Sequence, residues 1–308
     1  MTAIKTNNLT KRFGRDLYAV DGLDLAVQEG EVFGFLGPNG AGKSTTINML
    51  LDFIRPTSGS AQILGHDAQA ETTTIRQQIG VLPEGYDLYP RLSGRSHIEM
   101  AIELKEAGDD PDAIIDRVGL DRDDADRKAG DYSQGMRQRL ALGMAIAGDP
   151  ELLILDEPTN GLDPNGAREM RKIVEEHADR GATVFFSSHI LEQVQAVCDR
   201  VGILAEGKLV AVDTIDGLRD EVGTGSTLTL TVDSIPSVDL SDVPGVSTVT
   251  TQDTVIEASI TDPSAKISFI DRVRDGGATI EDIETSEASL EELFATYTNG
   301  GKQTEVPA

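Results

Sequence analysis

The chain has 308 residues, enough for one large core and a second small domain, and carries 53 acidic against 27 basic residues, a net charge of -26. That balance argues against nucleic-acid binding, which needs a concentrated cationic face, and against direct binding to anionic lipid. No apolar run reaches the 18 or so residues of a membrane span, Met1 to Leu9 has no signal-peptide pattern, and one cysteine with four histidines at no metal spacing leaves neither an internal disulfide nor a structural metal to expect.

Ala3 to Val27 alternates in short runs that suit an antiparallel β-subdomain, with Ser60 to Leu64 added to it. Glu31 to Leu36 (EVFGFL) reads as an apolar strand, Gly37 to Thr45 (GPNGAGKST) begins with a glycine-rich turn, and Lys43 to Leu51 reads as a helix. This strand, turn and helix context makes G-x-x-x-x-G-K-S a phosphate site. Gly37, Gly40 and Gly42 are expected to turn backbone N–H groups toward the β-phosphate, helped by the helix N-terminus. Lys43 would neutralise the β- and γ-phosphates and the Ser44 hydroxyl would ligate Mg²⁺.

Residues from about 91 to 148 are helical by period, with Ile98, Ala101, Ile102 and Lys105 on one stretch and Ala113 to Val118 on another. The acidic stretch Asp121 to Asp126 is expected to be a solvated loop. Leu152 to Glu157 (LLILDE) is a buried-type strand ending in two carboxylates, which burial disfavours unless a metal or proton chemistry uses them. Asp156 suits Mg²⁺, and Glu157 suits polarising the water that attacks the γ-phosphate. Ala182 to Phe186 is a further strand, followed by Ser187-Ser188-His189 and a helix over Ile190 to Cys198. Because open parallel sheets bind ligands at the carboxyl ends of their strands, His189 reads as a γ-phosphate sensor.

After Gly207 to Val212 the pattern changes: Gly223-Thr224-Gly225-Ser226 reads as a linker. Strands follow at Thr227 to Val232, Val246 to Thr250 and Thr254 to Ile260, then a helix over Ile267 to Asp275 and a strand over Thr279 to Glu284. A closing amphipathic helix over Ser289 to Thr298 would turn Leu290, Leu293, Phe294 and Tyr297 inward.

From the N-terminus to about residue 220 the chain resembles an ATP-binding cassette (ABC) ATPase: the phosphate loop, the strand that ends in Asp156 and Glu157, Gly161-Leu162-Asp163 as the D-loop, and His189 as the switch histidine come in the family's order. The resemblance implies an α/β P-loop fold, with a mostly parallel sheet, an antiparallel β-subdomain and a helical subdomain at about 91–148, and it implies a transport-coupled ATPase. The remainder, 221–308, would be a small α+β accessory domain, more for dimerisation or regulation than for substrate binding. Phe13 stands at the family's adenine-stacking position, with a place in the core as the other reading. Gly37, Pro38, Asn39, Gly40, Ala41, Gly42, Lys43, Ser44 and Thr45 would hold ATP.

Two departures are informative. The family signature L-S-G-G-Q is here Tyr132-Ser133-Gln134-Gly135-Met136, which keeps Ser133 and Gly135 for a γ-phosphate; Ser133 is also a natural N-cap for the helix that follows. Glu84 replaces a glutamine that touches Mg²⁺ in most relatives; it is a stronger ligand and an added negative charge, with no predictable sign for turnover. Both departures resemble the daunorubicin-resistance type of exporter ATPase. The resemblance implies a head-to-tail homodimer in which Ser133, Gln134, Gly135 and Asp163 act on the partner's ATP. It also implies a separately encoded membrane permease, hence a cytoplasmic protein peripheral on the membrane's inner face. The rival class is a soluble ABC ATPase working as a mechanical switch. Finally, 9 lysines beside 18 arginines and 31 aspartates beside 22 glutamates suit a salt-rich cytoplasm, that of a halophilic archaeon, because such a charge repels itself strongly at a screening length of about 10 Å and little at about 3 Å.

Overall fold

The fold is that of a computed structural model, which describes residues 1–14, 16–222, 226–262 and 264–286. The chain divides into two compact units, Met1–Val212 and a second that begins at Asp213.

In the first unit, β1 (Thr2–Phe13) and β2 (Leu17–Gln28) form an antiparallel hairpin; β3 (Val32–Leu36) leads through the phosphate loop into α1 (Lys43–Leu50). Next come β4 (Ser58–Ile63), β5 (His66–Asp67), α2 (Thr72–Gln78) and β6 (Ile79–Leu82). A helical region holds α3 (Gly94–Leu104), α4 (Pro111–Arg117), α5 (Arg122–Ala125) and α6 (Gln134–Ile146). The chain then returns to β7 (Leu152–Asp156), α7 (Pro164–Ala178), β8 (Thr183–Ser188), α8 (Leu191–Gln195), β9 (Arg200–Ala205) and β10 (Lys208–Asp213).

Two sheets result: an antiparallel one in the order β2-β1-β4-β5, and a six-stranded one in the order β10-β9-β3-β8-β7-β6. In the second, β6, β7, β8, β3 and β9 run parallel. Every residue of β3, β7 and β8 is buried, as expected of strands covered on both faces. The Phe185 ring lies between those of Phe33 and Phe35, at centroid distances of 5.9 and 5.2 Å. Ile47, Met49 and Leu50 of α1 join the same core as Leu9, Val20 and Leu23 of the hairpin, which ties the two sheets together.

The helix starts follow capping chemistry: Ser133 Oγ accepts from Met136 N–H at 3.3 Å, and Asp163 Oδ1 accepts from Gly166 N–H at 2.8 Å ahead of Pro164. Two expectations are corrected. The helix read over Ile190 to Cys198 stops at Gln195, because Asp199 must bind β3: Val32 N–H donates to its carboxylate and its own N–H donates to Val32 O, both at 2.8 Å. Asp121 to Asp126 is not a bare solvated loop. Asp121 caps α5, Arg95 pairs with Asp126 at 2.7 Å and Arg127 with Asp124 at 2.5 Å.

In the second unit, α9 (Ile215–Val222) precedes β11 (Ser226–Val232), β12 (Val246–Gln252), β13 (Val255–Ile260), α10 (Ala265–Asp275) and β14 (Ile280–Ser286). The strands form an antiparallel sheet in the order β12-β13-β11-β14. Leu228, Leu230, Val232, Ile256, Ala258 and Ile260 bury one face with Phe269 and Val273 of α10. The linker residues 223–225 and the closing helix expected over 289–298 lie outside the described residues.

Candidate functional site

The strand order places the carboxyl ends of β3, β8 and β7 side by side, with Leu36 level with Ser188 and Ser187 level with Asp156. The phosphate loop, the two carboxylates and His189 therefore share one end of the sheet. Gly40 and Gly42 adopt the left-handed φ values that favour glycine, 83° and 110°. A Cβ on Gly42 would also lie 2.2 Å from Ala19 O, so β2 runs against the loop. Gly37 differs from the expectation that its N–H is free: that group donates to Ser188 O at 3.3 Å. The position needs glycine because a Cβ would lie 2.5 Å from Leu204 O. Gly42 at the N-cap of α1 supplies no side-chain cap, so the first-turn N–H groups of Lys43, Ser44 and Thr45 have no intrahelical acceptor and present an anion site. Pro38, Asn39 and Ala41 complete the loop, with Ala41 N–H donating to Pro38 O at 3.1 Å.

Lys43 is 6 % exposed. Its ammonium donates to Gly37 O at 2.8 Å and sits 3.2 Å from Glu157 Oε1. That Oε1 accepts no hydrogen bond, while Oε2 lies 2.9 Å from His189 Nδ1. Ser187, buried at the end of β8, joins the two acids: its Oγ accepts from Glu157 N–H at 3.1 Å and donates to Asp156 Oδ1 at 2.5 Å. Burial first, and then the charges of Glu84 and Glu157, hold the Asp156 carboxyl above its ordinary value against opposing bonds from Ser187 and Ser44. The Ser44 hydroxyl donates to Glu84 Oε2 at 3.0 Å.

Ser44, Glu84 and Asp156 thus bring a hydroxyl and two carboxylates together beside the Lys43–Glu157 pair, hard oxygen donors of the kind that suit Mg²⁺. Among the described residues no group of three or more His, Cys, Asp or Glu is arranged to hold a metal. A cleft of about 490 Å³ opens beside these groups, lined by Glu84, Tyr86, Gln134, Gln138, Asp156 and Glu157 among others.

Ser133 and Asp163 cap α6 and α7 within their own chain, and Gly135 faces Leu162. Neither Ser133, Gly135 nor Asp163 lines the cleft. Phe13 is outside the core, 43 % exposed at the end of β1, with Lys11 Nζ 5.2 Å from its ring centroid. Sequence reasoning missed Ser187, Tyr86 and Gln138. The first could have been found as a hydroxyl ending an apolar strand beside the histidine; the other two carry no local signal.

The sequence profile of the ABC transporter family matches residues 20–160. The chain is 42 % identical over 224 residues to the bacitracin transport ATP-binding protein BcrA of Bacillus licheniformis, covering 71 % of this chain and 72 % of that protein. It is 34 % identical to the daunorubicin resistance ATP-binding protein DrrA3 of Streptomyces coeruleorubidus, covering 98 % of each. Among solved structures, it is similar to a dimeric ATP-binding cassette in a post-hydrolysis state with ADP and Pi bound, at a TM-score of 0.64 and 25 % identity, over 69 % of this chain and 98 % of that one.

Proposed function

The chain belongs to the ABC transporter family as an ATP-binding cassette ATPase, and on that premise we propose that it powers a multi-chain exporter through ATP-driven closure of a homodimer, the path itself lying in a separately encoded membrane permease. The observation that carries this reading is the convergence of Lys43, Ser44, Glu84, Asp156, Glu157 and His189 beside the phosphate loop. The exporter assignment is supported by the full-length likeness to proteins named for daunorubicin resistance, which extends through the second unit.

Phe13 stacks on adenine, the loop from Gly37 to Thr45 wraps the phosphates, and Lys43 turns from Glu157 to the γ-phosphate. Glu157, released from Lys43 but still held by His189, accepts a proton from the attacking water through Oε1, which has no hydrogen bond to lose. Ser44, Glu84 and Asp156 would hold Mg²⁺, which would supply positive charge against the phosphates. Ser133, Gln134, Gly135 and Asp163 reach the nucleotide of the second copy, so ATP favours the closed dimer and hydrolysis releases it. Among the described residues no helix is long and apolar enough to cross a membrane; in this reading the protein sits on the inner face through its permease. The second unit serves dimerisation or regulation, and the acidic surface is an adaptation to a salt-rich cytoplasm.

The test is co-purification of tagged Glu157→Gln with ATP at high salt from detergent-solubilised native membranes, with partners identified by mass spectrometry. Recovery of a polytopic membrane protein is expected. Recovery of soluble partners alone, or of the homodimer alone, would favour a soluble mechanical switch.

A further inference from the structure

Glu157 has a left-handed backbone, φ 49°, which is disfavoured for a non-glycine residue and persists only where the surroundings impose it. Two of the bonds around it come from the adjoining core: Glu157 N–H donates to Ser187 Oγ at 3.1 Å, and the Thr159 hydroxyl donates to Gln193. The third comes from the helical region. Gln138 Nε2, on α6, donates to Pro158 O at 2.6 Å, the carbonyl next along the chain from Glu157.

Gln138 is 6 % exposed, and the roles of its amide atoms follow from its neighbours. A carbonyl only accepts, so Nε2 must face Pro158 and Oε1 must accept. Its donor is the Tyr86 hydroxyl, at 2.8 Å. Tyr86 stands two residues beyond Glu84, whose carboxylate holds the Ser44 hydroxyl at the phosphate loop. The groups therefore form one path: Ser44 to Glu84, along the backbone through Gly85 to Tyr86, across to Gln138, and on to the peptide that carries Glu157.

Because the path crosses α6, the helix capped by Ser133, a shift of either the Glu84 loop or α6 moves the amide that pins the strained peptide. We propose that Gln138 is a positioning residue for Glu157, bringing its carboxylate to the attacking water only when the Glu84 loop and α6 are both in place. The inference rests on the reading of Glu157 as the residue that activates water.

The test measures kcat, KM for ATP and melting temperature of the full chain at high salt, for Gln138→Met, Gln138→Glu, Tyr86→Phe and the Gln138→Met/Tyr86→Phe double variant, with Glu157→Gln as reference. Gln138→Met keeps the length without hydrogen bonds and is expected to lower kcat about tenfold or more with KM nearly unchanged. Tyr86→Phe is expected to lower kcat less, and the double variant no further than Gln138→Met alone, because both act through one amide. Gln138→Glu can donate to Pro158 O only when protonated, so its kcat relative to the parent should recover as pH falls, which a merely structural side chain would not produce.

A Gln138→Met kcat within about twofold of the parent, or a kcat loss matched by losses in KM and melting temperature, would overturn the proposal. If Gln138→Met does not fold, Tyr86→Phe decides: a lower kcat at unchanged KM supports the path, and a parental kcat overturns it. Should Glu157→Gln itself turn over ATP at the parental rate, the reading of Glu157 fails instead, whatever the Gln138 variants do.

Discussion

At the scale of single residues, the site is built on one buried ion pair, Lys43 with Glu157, beside the further carboxylates of Asp156 and Glu84. Lys43 and Glu157 meet at 3.2 Å with both side chains buried, where removal of one partner leaves the other uncompensated, and the exposed His189 lies 2.9 Å from the same carboxylate. Lys43→Ala should therefore lose ATP affinity by well over tenfold and also lower the melting temperature. Undiminished binding, measured with a fluorescent nucleotide, would sink the phosphate role. Glu157→Gln should bind ATP and accumulate as a dimer in light scattering while turnover falls by about 10²–10⁴; turnover at the parental rate would remove Glu157 from the chemistry. Glu157 and His189 could be singled out because each follows an apolar strand, where a polar residue stands out, and Lys43 because it follows the glycine-rich turn at the start of α1. Tyr86, Gln138 and Pro158 could not, since contacts that span 52 and 20 residues leave no mark on local pattern.

At the scale of elements, α7 carries a buried titratable group with no catalytic role in the proposed mechanism. His177 is fully buried, with Arg180 3.2 Å and Asp149 3.7 Å from Nδ1 and no hydrogen-bond partner at Nε2. Burial, and then the charges of Arg117 and Arg180, push its imidazole down to about 3 from 6.5. The unfolded chain binds a proton near pH 6.5 that the folded chain refuses, so stability from this residue is complete above that pH and is lost as pH falls toward 3. Melting curves of the parent should slope downward across that window, and His177→Gln, which does not titrate, should slope less. Superimposable pH profiles would contradict the account. The helix starts at Ser133 and Asp163 could be read in advance because capping is a local affair of three residues. The early end of α8 could not, because it is set by Asp199 binding a strand 167 residues away.

For the whole molecule, charge governs. With 53 acidic residues and 27 basic ones, many carboxylates have no cation to pair with, and arginine is concentrated where acids cluster: Arg95 bridges Asp112 and Asp126, and Arg122 pairs with Asp116 at 2.5 Å. Such exposed pairs contribute little each, so the net repulsion must be relieved by salt. The melting temperature is expected to rise steeply between about 0.1 and 3 M KCl, where the screening length shortens from about 10 Å to below 3 Å. A flat response would contradict adaptation to a salt-rich interior.

The sequence alone determined the α/β core, the phosphate loop and the order of the polar strand ends, because these depend on hydrophobic period, glycine conformation and capping, all expressed within a few residues. Only the tertiary structure decided that Gly37 serves close packing against Leu204, that Asp121 to Asp126 is tied to Arg95, and that Gln138 reaches the peptide beside Glu157. Each of these is a contact between groups distant in the chain. Its existence follows from how strands and helices stack, and stacking is a property of the whole core that no local segment encodes.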